Sequence, residues 1–163
     1  MIREKFQEFL RDLLSQTTRY YGDRLVTLAV FGSVGRGRQR ADSDIDIMLI
    51  VEDLPDGRLK RIQEFELVEE ALEPSLRRLK DAGIDTSLSP VIKSPGEVRR
   101  GSLLFLDMIE DSIFLYDRRG FFQSFLREFK KRLADLGARR VKRGNAWHWV
   151  LKEEYREGEV FVL

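Results

Sequence analysis

The chain has 163 residues, a common size for one folded unit and long enough to bury a substantial core. Zero cysteines exclude disulfides, thiolate metal sites and a cysteine nucleophile, and a single histidine excludes a histidine-rich metal cluster, so bond-making chemistry falls to carboxylates. With 29 bases against 28 acids the net charge of +1 exerts no long-range pull on nucleic acid, and no apolar run is long enough to span a bilayer.

Residues 2–20 set Ile2, Phe6, Phe9, Leu10, Leu13 and Leu14 at spacings of three and four, which predicts an amphipathic helix lying on a sheet, with Gly22 as a left-handed cap. This N-terminal segment mixes acids with bases, so it resembles neither a secretory signal nor a transit peptide, and a cytosolic location is the expectation. Residues 25–31 and 45–51 are short apolar runs rich in β-branched side chains, which favours strands. Between them, Gly32 and Ser33 form a sharp turn. A glycine there lets a polyanion approach the backbone, while the following N–H groups and the Ser33 hydroxyl serve as donors. Arg36, between Gly35 and Gly37, can meet phosphate oxygens with its forked guanidinium or pair with a nearby carboxylate.

Asp44 and Asp46 stand two residues apart at the entry of the second strand. In extended backbone both side chains leave the same face, with Cα atoms roughly 6.6 Å apart. Two adjacent carboxylates repel, and a hard divalent cation removes that repulsion; oxygen ligands of this kind suit Mg²⁺, which binds one or two carboxylates together with substrate phosphates.

Asp53-Leu54-Pro55-Asp56-Gly57 reads as a turn. Residues 59–80 form a long helix with a broad apolar face, which Pro74 is expected to kink or divide. After the Gly83 turn, residues 84–92 read as a third strand with a polar entry, and Asp85, the acid of that segment, would share a face with Ser87 and Ser89. On its residues alone Asp85 equally well just starts the strand. Ser94-Pro95-Gly96-Glu97 carries a capping box at a helix start. Residues 112–116 predict another strand and 121–136 an amphipathic helix; 138–142 and 146–151 predict a hairpin turning at Arg143-Gly144-Asn145.

Bases between Arg127 and Arg143 could form a nucleic-acid patch, but Glu128 and Asp135 interrupt them and a solvated face is the better reading. Trp147 and Trp149 face one side of the hairpin and are expected to pack in the core or as a lid, leaving stacking on a base as the lesser option. His148 faces the other way and reads as an exposed strand residue. An open hairpin edge offers a route to homodimers.

The string Gly32-Ser33, ten residues containing Arg36-Gly37, then Asp44-Ile45-Asp46 resembles the signature of the DNA polymerase beta-like nucleotidyltransferase superfamily, in particular its minimal, antitoxin-like members. The match couples two elements at fixed spacing, each beside an apolar strand, and the run DMIEDSIFLYDRRG extends the likeness to about residue 118. The resemblance implies an α/β (α+β) fold: a small mixed sheet flanked by helices over residues 1–118, with 119–163 a helix and hairpin extension packed on the same domain. It implies transfer of a nucleoside monophosphate, AMP from ATP, onto an acceptor hydroxyl, with Asp44 and Asp46 holding two Mg²⁺ ions and Gly32, Ser33 and Arg36 binding the nucleotide. In that family a third carboxylate completes the metal site and can serve as base, which makes Asp85 the candidate catalytic and metal-binding partner of the pair. Some relatives adenylylate a tyrosine of a HEPN-type toxin, so a protein acceptor is among the implied partners. Two competing expectations are a nucleotide-binding interaction protein whose catalysis has decayed and, ranked last, a basic nucleic-acid-binding module.

Overall fold

The computed structural model of the protein describes residues 2–32, 44–143 and 146–151. Helix α1 (Ile2–Tyr21) passes through a 3-10 turn (Gly22–Arg24) into strand β1 (Leu25–Phe31), and Gly22 takes φ +57° at that junction, the left-handed conformation expected of it. Strand β2 (Ile45–Val51), helix α2 (Arg58–Asp81), strand β3 (Leu88–Lys93) and the short helix α3 (Pro95–Arg99) follow. A 3-10 segment (Leu103–Met108), strand β4 (Ile113–Asp117), a 3-10 turn (Arg118–Gly120), helix α4 (Phe121–Asp135) and the hairpin strands β5 (Arg139–Arg143) and β6 (Ala146–Val150) complete the order.

Four strands make one mixed sheet in the order β3-β2-β1-β4. β1 runs antiparallel to both β2 and β4, whereas β2 and β3 are parallel and joined across the sheet by α2, the helical crossover that parallel pairing requires. Among the described residues β5 and β6 pair only with each other. The central strands are apolar nearly throughout because both of their faces are covered.

On one face, Leu28 and Val30 of β1 and Ile45, Ile47 and Leu49 of β2 pack against Phe6, Phe9 and Leu13 of α1 and Phe65, Val68 and Leu72 of α2. The other face buries Ala29, Phe31, Met48 and Ile50 under Phe105 and Met108 of the 3-10 segment and Phe122, Leu126 and Phe129 of α4. Phe105 is fully buried, with its ring edge-on to those of Phe122, Phe125 and Phe129 at centroid separations of 5.2 to 6.2 Å. Trp149 and Leu151 pack against this second cluster, so for Trp149 the packing role holds. The Trp147 and His148 side chains, and Gly144 and Asn145 of the expected turn, lie outside the described residues.

Two expectations need correction. Pro74 does not divide helix α2, which continues as one element from Arg58 to Asp81; Phe65, Val68 and Leu72 before the proline and Ser75 and Leu79 after it are all buried, and this packing supports the helix on both sides of it. Strand β3 begins at Leu88, four residues later than the sequence suggests. The residues before it form a connection in which Ile84 is buried and its N–H donates to the carbonyl of Leu79 at the end of α2.

Candidate active site

The sheet brings three sequence-predicted residues to one end. β1 finishes at Phe31, which pairs with Asp46 of β2, and the chain leaves through Gly32 at φ +71°. A Cβ built on Gly32 would overlap Asp46 Oδ2, so the Asp46 carboxylate lies directly over the glycine and no larger residue fits there without displacing it. Asp46 is half-buried, while Asp44, just ahead of the strand, is exposed. β2 alternates in the usual way: Ile45, Ile47 and Leu49 face α1 and α2, and Asp46 takes the phase of Met48 and Ile50, toward the α4 side.

The neighbouring strand supplies serines to this place. β3 runs parallel to β2 with Asp46 opposite Ser89, and the ladder opens with Ile45 N–H donating to the Ser87 carbonyl at 2.9 Å. The Ser87 hydroxyl donates to Asp44 Oδ1 at 2.9 Å, which fixes that carboxylate's rotamer. Among the described residues Asp44 is in no ion pair.

Asp85 stands three residues ahead of the first residue of β3. It lies in the connection ahead of β3, exposed, and among the described residues no three acids or histidines gather where they could hold a metal ion. In the shortened strand the register aligns Ser87 and Ser89, not Asp85, with the two aspartates. Ser33 and Arg36 lie outside the described residues.

The donor set fits Mg²⁺ bound together with a triphosphate. Two carboxylates with hard oxygens stand two residues apart on one strand mouth, one exposed and the other seated where a side chain on Gly32 would be. The Ser87 hydroxyl adds a donor at this rim.

A nucleotidyltransferase domain model matches residues 4–99, more than half of the chain and the whole of the segment that carries this site. The chain belongs to the nucleotidyltransferase domain family. A Methanocaldococcus jannaschii protein named "Putative protein adenylyltransferase" is 25% identical over 132 residues, covering 80% of this nucleotidyltransferase and 84% of that relative. Among solved structures, a toxin-antitoxin with AMP-PNP has a TM-score of 0.42 at 20% identity, covering 84% of this chain and 94% of that one. The toxin-antitoxin MntA-HepT scores 0.38 at 18% identity, covering 83% and 91%. At these scores the structural likeness is loose, and the family membership of this nucleotidyltransferase stands on the domain match.

One residue with a structural duty escaped the sequence reading. Asp117, at the end of β4, accepts from the Thr27 hydroxyl at 2.7 Å and from the N–H groups of Phe122 and Gln123 at 3.0 Å each, so it ties β1 to β4 and satisfies the first turn of α4. Its signal was faint: the acid stands five residues before Phe122, outside the usual capping spacing.

Proposed function

We propose that this nucleotidyltransferase moves AMP from ATP onto a hydroxyl of a protein acceptor, with Mg²⁺ held by Asp44 and Asp46. The observation that carries the reading is the Asp46 carboxylate seated over Gly32 with Asp44 fixed beside it by Ser87. In the reaction a bond forms between the acceptor oxygen and the α-phosphorus, the bond to the oxygen bridging the α- and β-phosphorus atoms breaks, pyrophosphate leaves and the acceptor hydroxyl gives up its proton. When bound, Mg²⁺ neutralises the triphosphate charge and polarises the α-phosphoryl group. The chain contributes positioning. Gly32 makes room for the Asp46 carboxylate, and the Ser87 hydroxyl holds Oδ1 of Asp44, so that Oδ2 is the oxygen that would meet a cation. Ser33 and Arg36, by their place in the motif, are the residues that would grip the phosphates.

The protein acceptor class draws on the relative named as a protein adenylyltransferase, and the HEPN-type helical protein is the member of that class to test first. Incubating the protein with α-³²P-labelled ATP, Mg²⁺ and candidate acceptors, protein and small-molecule alike, gives the decision. Label on a protein band, lost in Asp44→Asn and Asp46→Asn, is the expected result. Label confined to small molecules overturns the acceptor class, and transfer that survives both substitutions removes the carboxylates from the mechanism.

A further inference from the structure

The end of the sheet remote from Gly32 gathers arginines. A cleft of about 200 Å³ is lined by Val26, Arg99, Arg118, Arg119 and Phe121 with one acid, Glu52, so three guanidiniums face a single carboxylate. Arg118 is committed: it donates to the carbonyls of Asp23 and Leu25, the latter at 2.7 Å, and lies 3.4 Å from Glu52. It forms a rigid cationic floor. The Arg99 guanidinium lies 5.2 Å from the centroid of the Phe121 ring and makes no ion pair among the described residues.

Arg119 is the unusual one. It is exposed, has no ion pair or hydrogen bond among the described residues, and holds φ +52°, ψ +27°, left-handed backbone that penalises a side chain. Glycine would suit that backbone better, so arginine is held there at the cost of backbone strain; such positions cluster where a side chain is needed for binding. A second cleft, of about 530 Å³, shares Glu52, Arg118 and Arg119 and adds a second acid, Asp23, so both arginines line two adjoining depressions.

We propose that this arginine cleft is an anion site for a small phosphorylated molecule, with Arg99 and Arg119 as forked donors to phosphate oxygens and Arg118 as the fixed positive floor. The site stands apart from the aspartate pair: Val26 and Phe31 are separated by five strand residues, roughly 17 Å at the usual rise. Its small volume and partly apolar walls suit a compact ligand better than a polynucleotide backbone, and the near-neutral chain offers no long-range attraction for the latter.

The test is calorimetric titration of the full chain with inorganic pyrophosphate in the presence of EDTA, which prevents recruitment of the anion through a divalent cation at the aspartates. Saturable binding is expected, weakened about tenfold or more in Arg99→Ala/Arg119→Gly, as loss of two charge-assisted contacts implies. It should be unchanged in Asp46→Asn. The melting temperature should not fall in Arg119→Gly, because glycine accepts that backbone; this separates loss of a ligand contact from loss of fold. Absence of saturable binding, equal affinity in the double variant, or loss of binding in Asp46→Asn would each overturn the site. Single-stranded RNA binding more tightly than pyrophosphate and lost with the same arginines would also overturn it, in favour of a nucleic-acid surface.

Discussion

Replacing Gly32 by alanine isolates the contact on which the catalytic reading turns. The added methyl meets Asp46 Oδ2 and stands on backbone at φ +71°, where a side chain costs about 1–2 kcal/mol. The carboxylate must move aside to make room, and displacement of a positioned group by about 1 Å can cost about 10²-fold in rate. Nucleotidyl transfer in Gly32→Ala should therefore fall about 10²-fold, with the melting temperature lowered by no more than roughly 2–8 °C for that strain. Wild-type turnover would show that Asp46 is not placed by this glycine. The glycine and the aspartate pair were legible because their types and spacing are themselves chemical statements: two like charges at one strand mouth, opposite a residue with no side chain. The place of Asp85 in the chain's path was not legible. An acid in a polar run looks the same whether it opens a strand or belongs to the connection before one, and only the register of β3 on β2 separates the two.

Legibility at the level of elements follows burial. β1 and β2 are covered on both faces and announce themselves as apolar runs, and α4 shows its stripe because Phe122, Leu126, Phe129 and Leu133 are buried while the opposite side is solvated. β3 is an edge strand, half-buried and interrupted by Pro90, so its alternation is weak and its start was misplaced. Pro74 does not divide α2, since tertiary packing on both sides of it outweighs its tendency to end a helix. The junction of β4 and α4 rests on Asp117, and Asp117→Ala would leave the Thr27 hydroxyl, which is on a fully buried residue, and two N–H groups of α4 without their acceptor. A loss of about 1–3 kcal/mol is expected, the cost of a helix cap combined with an unsatisfied buried group. Urea unfolding measures it: the midpoint should fall with the slope unchanged, and a variant as stable as wild type would mean that solvent replaces all three bonds.

Across the whole molecule, partly buried ion pairs join elements far apart in the chain: Arg24 to Glu64, Arg61 to Glu97 and Arg140 to Asp111. Arg61 of α2 meets Glu97 of α3 at 2.7 Å and 2.9 Å, and its Nε donates to the carbonyl of Pro55, so one guanidinium fastens the crossover helix to the chain on either side of it. Hydrogen bonding from Arg61 holds the Glu97 carboxyl below its ordinary value of 4.5, with Ser94 acting in the same direction and burial opposing both. A depressed carboxyl stabilises the fold at pH above its unfolded value, and that contribution disappears as pH falls through the folded value. Glu69, on α2, is shifted the opposite way by burial and by the nearby Glu66, so its ionised form weighs against the fold at neutral pH and the penalty vanishes once the group is protonated in both states. Thermal melts of the wild type, Glu97→Gln and Glu69→Gln between pH 3 and 7 should then diverge in opposite senses. At neutral pH Glu97→Gln should lose about 1.5–3 kcal/mol, the usual worth of hydrogen bonds to a charged group, and that gap should close below pH 4.5, the ordinary value. Glu69→Gln should melt above wild type at neutral pH and converge with it in acid. If the Glu97→Gln gap stayed constant across the range, the pair would be holding α2 to α3 by packing of its side-chain stems and not by its charge.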